Sequence, residues 1–483
     1  MKRLPRLVPL ALVLAVLAPA SMIVDRAPNA KAVAEIFIDE GGARVEWELR
    51  ELVAGPVLRI EPGGGGMPRQ VVIAPPAGSG PEELGFVVYH RGLPVSDLHY
   101  LTRPETLDLN WADPWESRFQ NHRLRRRDDS PLSVFLYVEP FEVRVEIMGR
   151  PGHLGVTDPR DVRREAAASL EGRWELLIDG ERARAVLDRV QFLERRLRTS
   201  FAVDPPPPAG LPFATVGAIY VVERDGLPET ASLTWTSFDE AAPAVSGSVT
   251  DASVTWPARL TAERATLTWE NLGGIEAPSL ASLAAPPPLW GRFLPFAGMA
   301  GAAALLVLAV LVGIQLRRGR RAPRIAVLAG FLLLALTAAT VSRGRATPVS
   351  QEEAEEVVHA LLYNTYRAFD RRQEEAVYDT LARSVAGELL TEVYLEARRS
   401  LAVESLGGAM TRVRDVAIES AVVGDAADWR GFEMDCTWVA AGSVGHWGHV
   451  HERSNRYHAK VSVRAVDGVW KIAGLDLLNE ERL

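Results

Sequence analysis

Apolar and polar residues alternate with a period of two through much of the first half of the chain. "AEIFIDEGGARVEWELRE" places two alternating runs about Gly41-Gly42, which predicts a β-hairpin. In "FEVRVEIM" Phe141, Val143, Val145 and Ile147 fall on one side and Glu142, Arg144 and Glu146 on the other. That is the pattern of a strand with one buried and one solvated face. Asp158 followed by Pro159 then predicts a capped helix over about 159–171. "WELLIDGERARAVL" predicts another hairpin about Asp179-Gly180. Three runs end alike, "SLTW" at Trp235, "SVTW" at Trp256 and "TLTW" at Trp269. Each has an aliphatic residue two positions before the Trp, as expected of the inner wall of a β-sandwich. The pattern therefore predicts a β-rich domain over 33–157 and a second, sandwich-like β-rich region over 158–275. A proline-rich linker follows over 276–292.

The alternation gives way to continuous apolar runs. Residues 293–316, "FLPFAGMAGAAALLVLAVLVGIQL", and 325–341, "IAVLAGFLLLALTAATV", flank an arginine-rich loop over 317–324. A bilayer needs about 20 apolar residues per helix, and basic loops stay in the cytoplasm. The expectation is a transmembrane hairpin with a cytoplasmic loop. The N-terminus, "MKRLPRLVPLALVLAVLAPAS", has the basic start, apolar run and small residues of a signal peptide over 1–20. Both signals predict a protein of the bacterial inner membrane, with its two large regions on the outer side.

Beyond residue 350 the period is first helical. Ser350 and Glu353 stand at capping-box spacing, and Ala354, Val357, Val358, Leu361, Leu362, Thr365 and Phe369 form one stripe. The period then returns to two. "GFEMDCTWVA" puts Phe432, Met434, Cys436 and Trp438 on one face, and "NRYHAKVSVRAV" puts Tyr457, Ala459, Val461 and Val463 on one face. "DGVWKIAGLDLL" supplies a last strand after the Asp467-Gly468 turn. Helices followed by a curved antiparallel sheet over 350–483 resemble the fold shared by nuclear transport factor two, scytalone dehydratase and ketosteroid isomerase. The resemblance implies a cone-shaped α+β domain with a pocket between helices and sheet. The pocket-lining candidates are Phe432, Met434, Cys436, Trp438, Tyr457 and Val461. The family's enzymes place acids or histidines in that pocket, whereas here Glu433 and Asp435 point to the opposite face, toward His458, Lys460 and Arg464. The order of segments also resembles a group of bacterial membrane-anchored proteins. The fold class expected is thus a multidomain membrane protein: a β-rich, sandwich-like exported N-terminal region, a two-helix transmembrane hairpin and an exported α+β cone at 350–483.

Candidate chemistry is concentrated in "GSVGHWGHVHERSNRYHAK", with His446, His449, His451 and His458. In register with Tyr457, His449 and His451 share a face, and histidines two apart on a strand can ligate zinc or copper with His446 as a third ligand. The preferred reading of these residues is a plain polar hairpin tip, with the metal site and a pH-sensitive contact as its alternatives. Elsewhere no Gly-x-Ser-x-Gly, phosphate loop or His-Glu-x-x-His occurs. The net charge of −8 gives no reason to expect nucleic acid, and a single cysteine, Cys436, excludes an intrachain disulfide. The expected function is binding or assembly in the cell envelope, without catalysis or cofactor, with the membrane and envelope proteins as partners. The alternatives are a metal-binding or enzymatic C-terminal domain using His446, His449 and His451, and an accessory subunit of a transport system.

Overall fold

The computed structural model describes residues 26–27, 29–50, 55–62, 67–80, 82–127, 130–197, 200–203, 210–251, 254–275, 277–285, 303–310, 312–314, 317–318, 349–405, 410–424, 430–447 and 449–483. The first module is built from β1 (Ala32–Asp39), β2 (Gly42–Arg50), β3 (Val57–Pro62), β4 (Pro68–Ala74), β5 (Leu84–His90), β6 (Leu93–Pro94), β7 (His99–Tyr100), β8 (Glu105–Asp108) and β9 (Arg118–Phe119). The Gly41-Gly42 hairpin forms, with Asp39 opposite Gly42. One sheet runs β2-β1-β5-β6, with β7 also on β5, and the other runs β3-β4-β8-β9. Residues of both sheets, Ile36, Ile38, Val71, Ile73, Phe86 and Phe119 among them, share one core. β1 and β5 pair in parallel and read as nearly continuous apolar runs because both of their faces are covered.

The second module holds β10 (Leu132–Glu139), β11 (Glu142–Gly149), α1 (Val162–Leu170), β12 (Trp174–Ile178), β13 (Glu181–Arg182), β14 (Val186–Arg195), β15 (Ser200–Val203), β16 (Thr215–Glu223), β17 (Thr230–Trp235), β18 (Ala244–Thr250), β19 (Thr255–Thr261) and β20 (Thr266–Glu270). A seven-stranded sheet, β15-β14-β16-β11-β10-β18-β19, faces the smaller β13-β12-β17-β20. Their apposed faces and α1 enclose one core, a sandwich-like arrangement. The expected division at 157/158 therefore falls inside one sheet, because β11 pairs with β16 along its whole length. Two of the three expected wall tryptophans are buried, Trp235 and Trp269, on neighbouring strands β17 and β20. Trp256 lies on the edge strand β19 of the other sheet and is 45% exposed. The helix begins as expected: Asp158 accepts from the Arg160 amide ahead of a short 3-10 turn at Pro159–Asp161 that leads into α1.

The third module has α2 (Gln351–Arg367), α3 (Glu374–Ser384) and α4 (Glu388–Ser405) packed on the antiparallel sheet of β21 (Met410–Val423), β22 (Gly431–His446), β23 (His449–Val466) and β24 (Val469–Arg482), in that order. Ser350 caps α2 by accepting from the Glu353 amide. The 281–285 segment returns from the second module to this one. Ala284 bridges Val469, and the Asn364 side-chain amide bonds both ways with the Ala281 backbone.

The expected two-helix transmembrane hairpin, and the inner-membrane location that rested on it, are corrected. Among the described residues no helix is long and apolar enough to cross a membrane. The first apolar run is helical over 303–310 and 312–314. The second run at 325–341 and the expected signal peptide at 1–20 lie outside the described residues.

Candidate functional site

The interior of the third module is where the expected pocket would lie. Phe432, Met434, Cys436, Trp438, Tyr457 and Val461 all stand there, and each is buried. They pack against the α2 stripe and against Leu381, Val393 and Trp470 in one continuous core. Trp438 stacks on Tyr457 with ring centroids 5.4 Å apart, and its Nε1 donates to Tyr366 Oη at 3.1 Å. Asn455 Nδ2 donates to Tyr457 Oη at 3.1 Å. Burial first of all pushes the Cys436 thiol up to about 12, so it is a small buried hydrophobe. No carboxylate or imidazole is among the six candidates. Asp435 lies on the outer face with His458, 2.7 Å away, and Glu433 lies 3.7 Å from Arg464.

The histidine-rich hairpin is the tip of the β22–β23 ladder, with His446 opposite His449. The side chains of His446, His449 and His451, the metal-ligand candidates, lie outside the described residues. Among the described residues no group of three or more His, Cys, Asp or Glu is placed to hold a metal. What the tip does is carried by Trp447. Its φ of +49° turns the chain, and its indole is buried on the seven-stranded sheet against Phe135, Tyr137, Met148, Leu193, Ile219 and Val221. The indole lies directly over Gly217, where even a methyl group would overlap it.

The polar face of β11 is not solvated. Glu142, Arg144 and Glu146 are each 1% exposed, because the third module covers that face. Arg144 lies 2.9 Å from Glu142 and 3.0 Å from Glu146. From the other side Arg372 Nε donates to Glu142 Oε2, and Arg412 reaches Glu139 at 3.1 Å and Glu142 at 3.2 Å. Burial works to raise the Glu142 carboxyl, but the guanidiniums of Arg372, Arg412 and Arg144 hold it well below the usual carboxylate range. Asp370 goes the other way. Burial outweighs the attraction of Arg367 and Arg412, and Glu139 adds repulsion, so its carboxyl rises to about 6.

Beside this seam lies a cavity of about 230 Å³ between the second and third modules. Pro140, Phe141, Leu227, Ile275, Pro278 and Val413 form apolar wall, and Glu139, Arg367, Asp370 and Arg412 form the polar part. Sequence reasoning missed this site. Its residues come from five separate stretches, and the "RAFDRR" run (Arg367 to Arg372) opposite the "EPFE" turn (Glu139 to Glu142) was the signal available.

No family model matches the chain, and no curated protein matches it. Among solved structures it is similar to the intermembrane space region of chloroplast protein ARC6, at 15% identity, over 27% of this chain and 98% of that chain, with a TM-score of 0.21. So slight a likeness bears on nothing that follows.

Proposed function

We propose that the protein works by binding, as an assembly component, and not by catalysis. The observation that carries this reading is the interior of the third module. Trp438, Tyr457, Phe432 and Met434 occupy the space between helices and sheet that an enzyme of this shape would keep open. The hydrogen bonds there join Trp438 to Tyr366 and Asn455 to Tyr457, which orders the core and offers no acid–base pair. The strongly interacting charges are instead spent on holding two modules together. Chemical cross-linking at the native expression level tests the proposal. A protein partner recovered in fixed ratio is expected, unaffected by Tyr366→Phe. Recovery of the protein alone with stoichiometric zinc or copper, lost in His449→Ala, would overturn it in favour of a metal site.

A further inference from the structure

The cavity between the second and third modules has a divided lining. One part is apolar: Phe141, Leu227, Ile275, Pro278 and Val413. The other part ends on two side chains with unused hydrogen-bonding capacity. Asp370 is 5% exposed, and neither of its carboxylate oxygens accepts a well-directed hydrogen bond, although Arg367 Nη1 stands 3.1 Å from Oδ2. Arg367 is 6% exposed, and its Nε and Nη2 likewise have no hydrogen-bond acceptor. Buried polar groups in folded proteins are normally satisfied, so a donor pair and an acceptor pair side by side in a cavity call for a complementary occupant. Arg412 stands 3.9 Å from Asp370 Oδ1, and it is held by Glu139, Glu142 and the Phe369 carbonyl.

We infer that this cavity binds a small neutral molecule with an apolar body and an amide-like head, its carbonyl accepting from Arg367 and its N–H donating to Asp370. Size sets the class. The volume suits a single ring or short branched chain and lies below the range of drug-sized sites. Charge sets the head. A cation would face Arg367, Arg412 and Arg414, and an anion would face Asp370 and Glu139. A head that both accepts and donates without net charge matches both sides at once. Junctions between domains are also where such sites concentrate. The reading is independent of whether the protein acts in assembly.

Three probes of one shape separate the possibilities: benzamide, benzoate and benzamidine, titrated against the full chain by ligand-observed NMR. Saturable binding of benzamide is expected, at least tenfold tighter than of the two charged analogues. Ile275→Trp, an exposed wall substitution that leaves the ionic groups alone, should abolish it. Asp370→Asn should weaken it at least fivefold. If that variant fails to fold, Ile275→Trp still decides whether the cavity is the site. Benzoate or benzamidine binding as tightly as benzamide overturns the assigned head group. No saturable binding of any probe, or benzamide binding that survives Ile275→Trp, overturns the site, leaving a water-filled junction.

Discussion

At the scale of single residues, Trp438 shows how far alternation along a strand can be trusted. Its position between Cys436 and Ala440 on the inner face of β22 follows from period two, and it is 1% exposed. Truncating such a side chain removes transfer free energy and leaves a cavity, about 3–5 kcal/mol together. Trp438→Ala also takes the donor from Tyr366 Oη. The expected outcome is a loss of that size in denaturant unfolding. Cys436 provides a local readout: in the native protein its buried thiol resists a thiol reagent, and in the variant it becomes labelled. Retained stability with unchanged labelling would mean that the space around Trp438 is not a packed core. The same alternation misled at Trp256. Its "SVTW" matches the runs ending at Trp235 and Trp269, yet strand periodicity assigns a residue to a face and says nothing of which sheet the strand joins.

At the scale of elements, what covers a face is decided by partners far along the chain. β11 was legible as a strand, and its apolar side is core as expected. Its Glu-Arg-Glu side was expected in water, because an isolated strand bearing three charges would keep them there. Arg372, 230 residues away from Glu142, makes burial tolerable. The histidine-rich hairpin is a similar case: four histidines drew attention, and the residue that docks is Trp447 between them. The fit of its indole over Gly217 gives an element-scale prediction. Trp447→Ala should leave the core of the third module intact, with Cys436 still unlabelled, while β16 and the β22–β23 tip lose protection in hydrogen exchange. Gly217→Ala should do the same from the opposite side, since its methyl group and the indole compete for one space. Loss of Cys436 protection in either variant would show that the tip supports the third module's fold and not its docking.

At the scale of the whole molecule, the second and third modules are joined across a seam in which ionisable groups are buried, and the seam's response to pH follows from two carboxyls with opposite signs. Glu142 is held below its ordinary value of 4.5, so its stabilisation is complete above that pH and is lost as pH falls below it. Asp370 is raised from 3.8 to about 6, so ionising it costs stability, a cost that develops as pH rises through that window and is complete above about 6. The charged groups acting on Asp370 are Arg367 from α2, Arg371 from the turn after it, Arg412 from β21 and Glu139 from β10. Asp370→Asn removes the titration and keeps the shape. Relative to the parent it should gain stability as pH rises from 4 to 7, by at most about 3 kcal/mol. Taking the difference between variant and parent cancels the contributions of His90 and His99. His90 is buried and His99 half-buried, desolvation lowers both to about 4, and both lose stability as pH falls from 6.5. Glu142→Gln should behave oppositely. It leaves Arg372 and Arg144 short of a buried counter-charge and costs about 3–5 kcal/mol at pH 7, a deficit that narrows as pH drops below 4.5, where the parent's unfolded chain takes up a proton that its folded carboxylate does not. Chemical denaturation of the two variants and the parent between pH 2.5 and 8 measures all three curves. An Asp370→Asn curve parallel to the parent's would show that Asp370 keeps an ordinary carboxyl, and hence that water or a bound group reaches the seam.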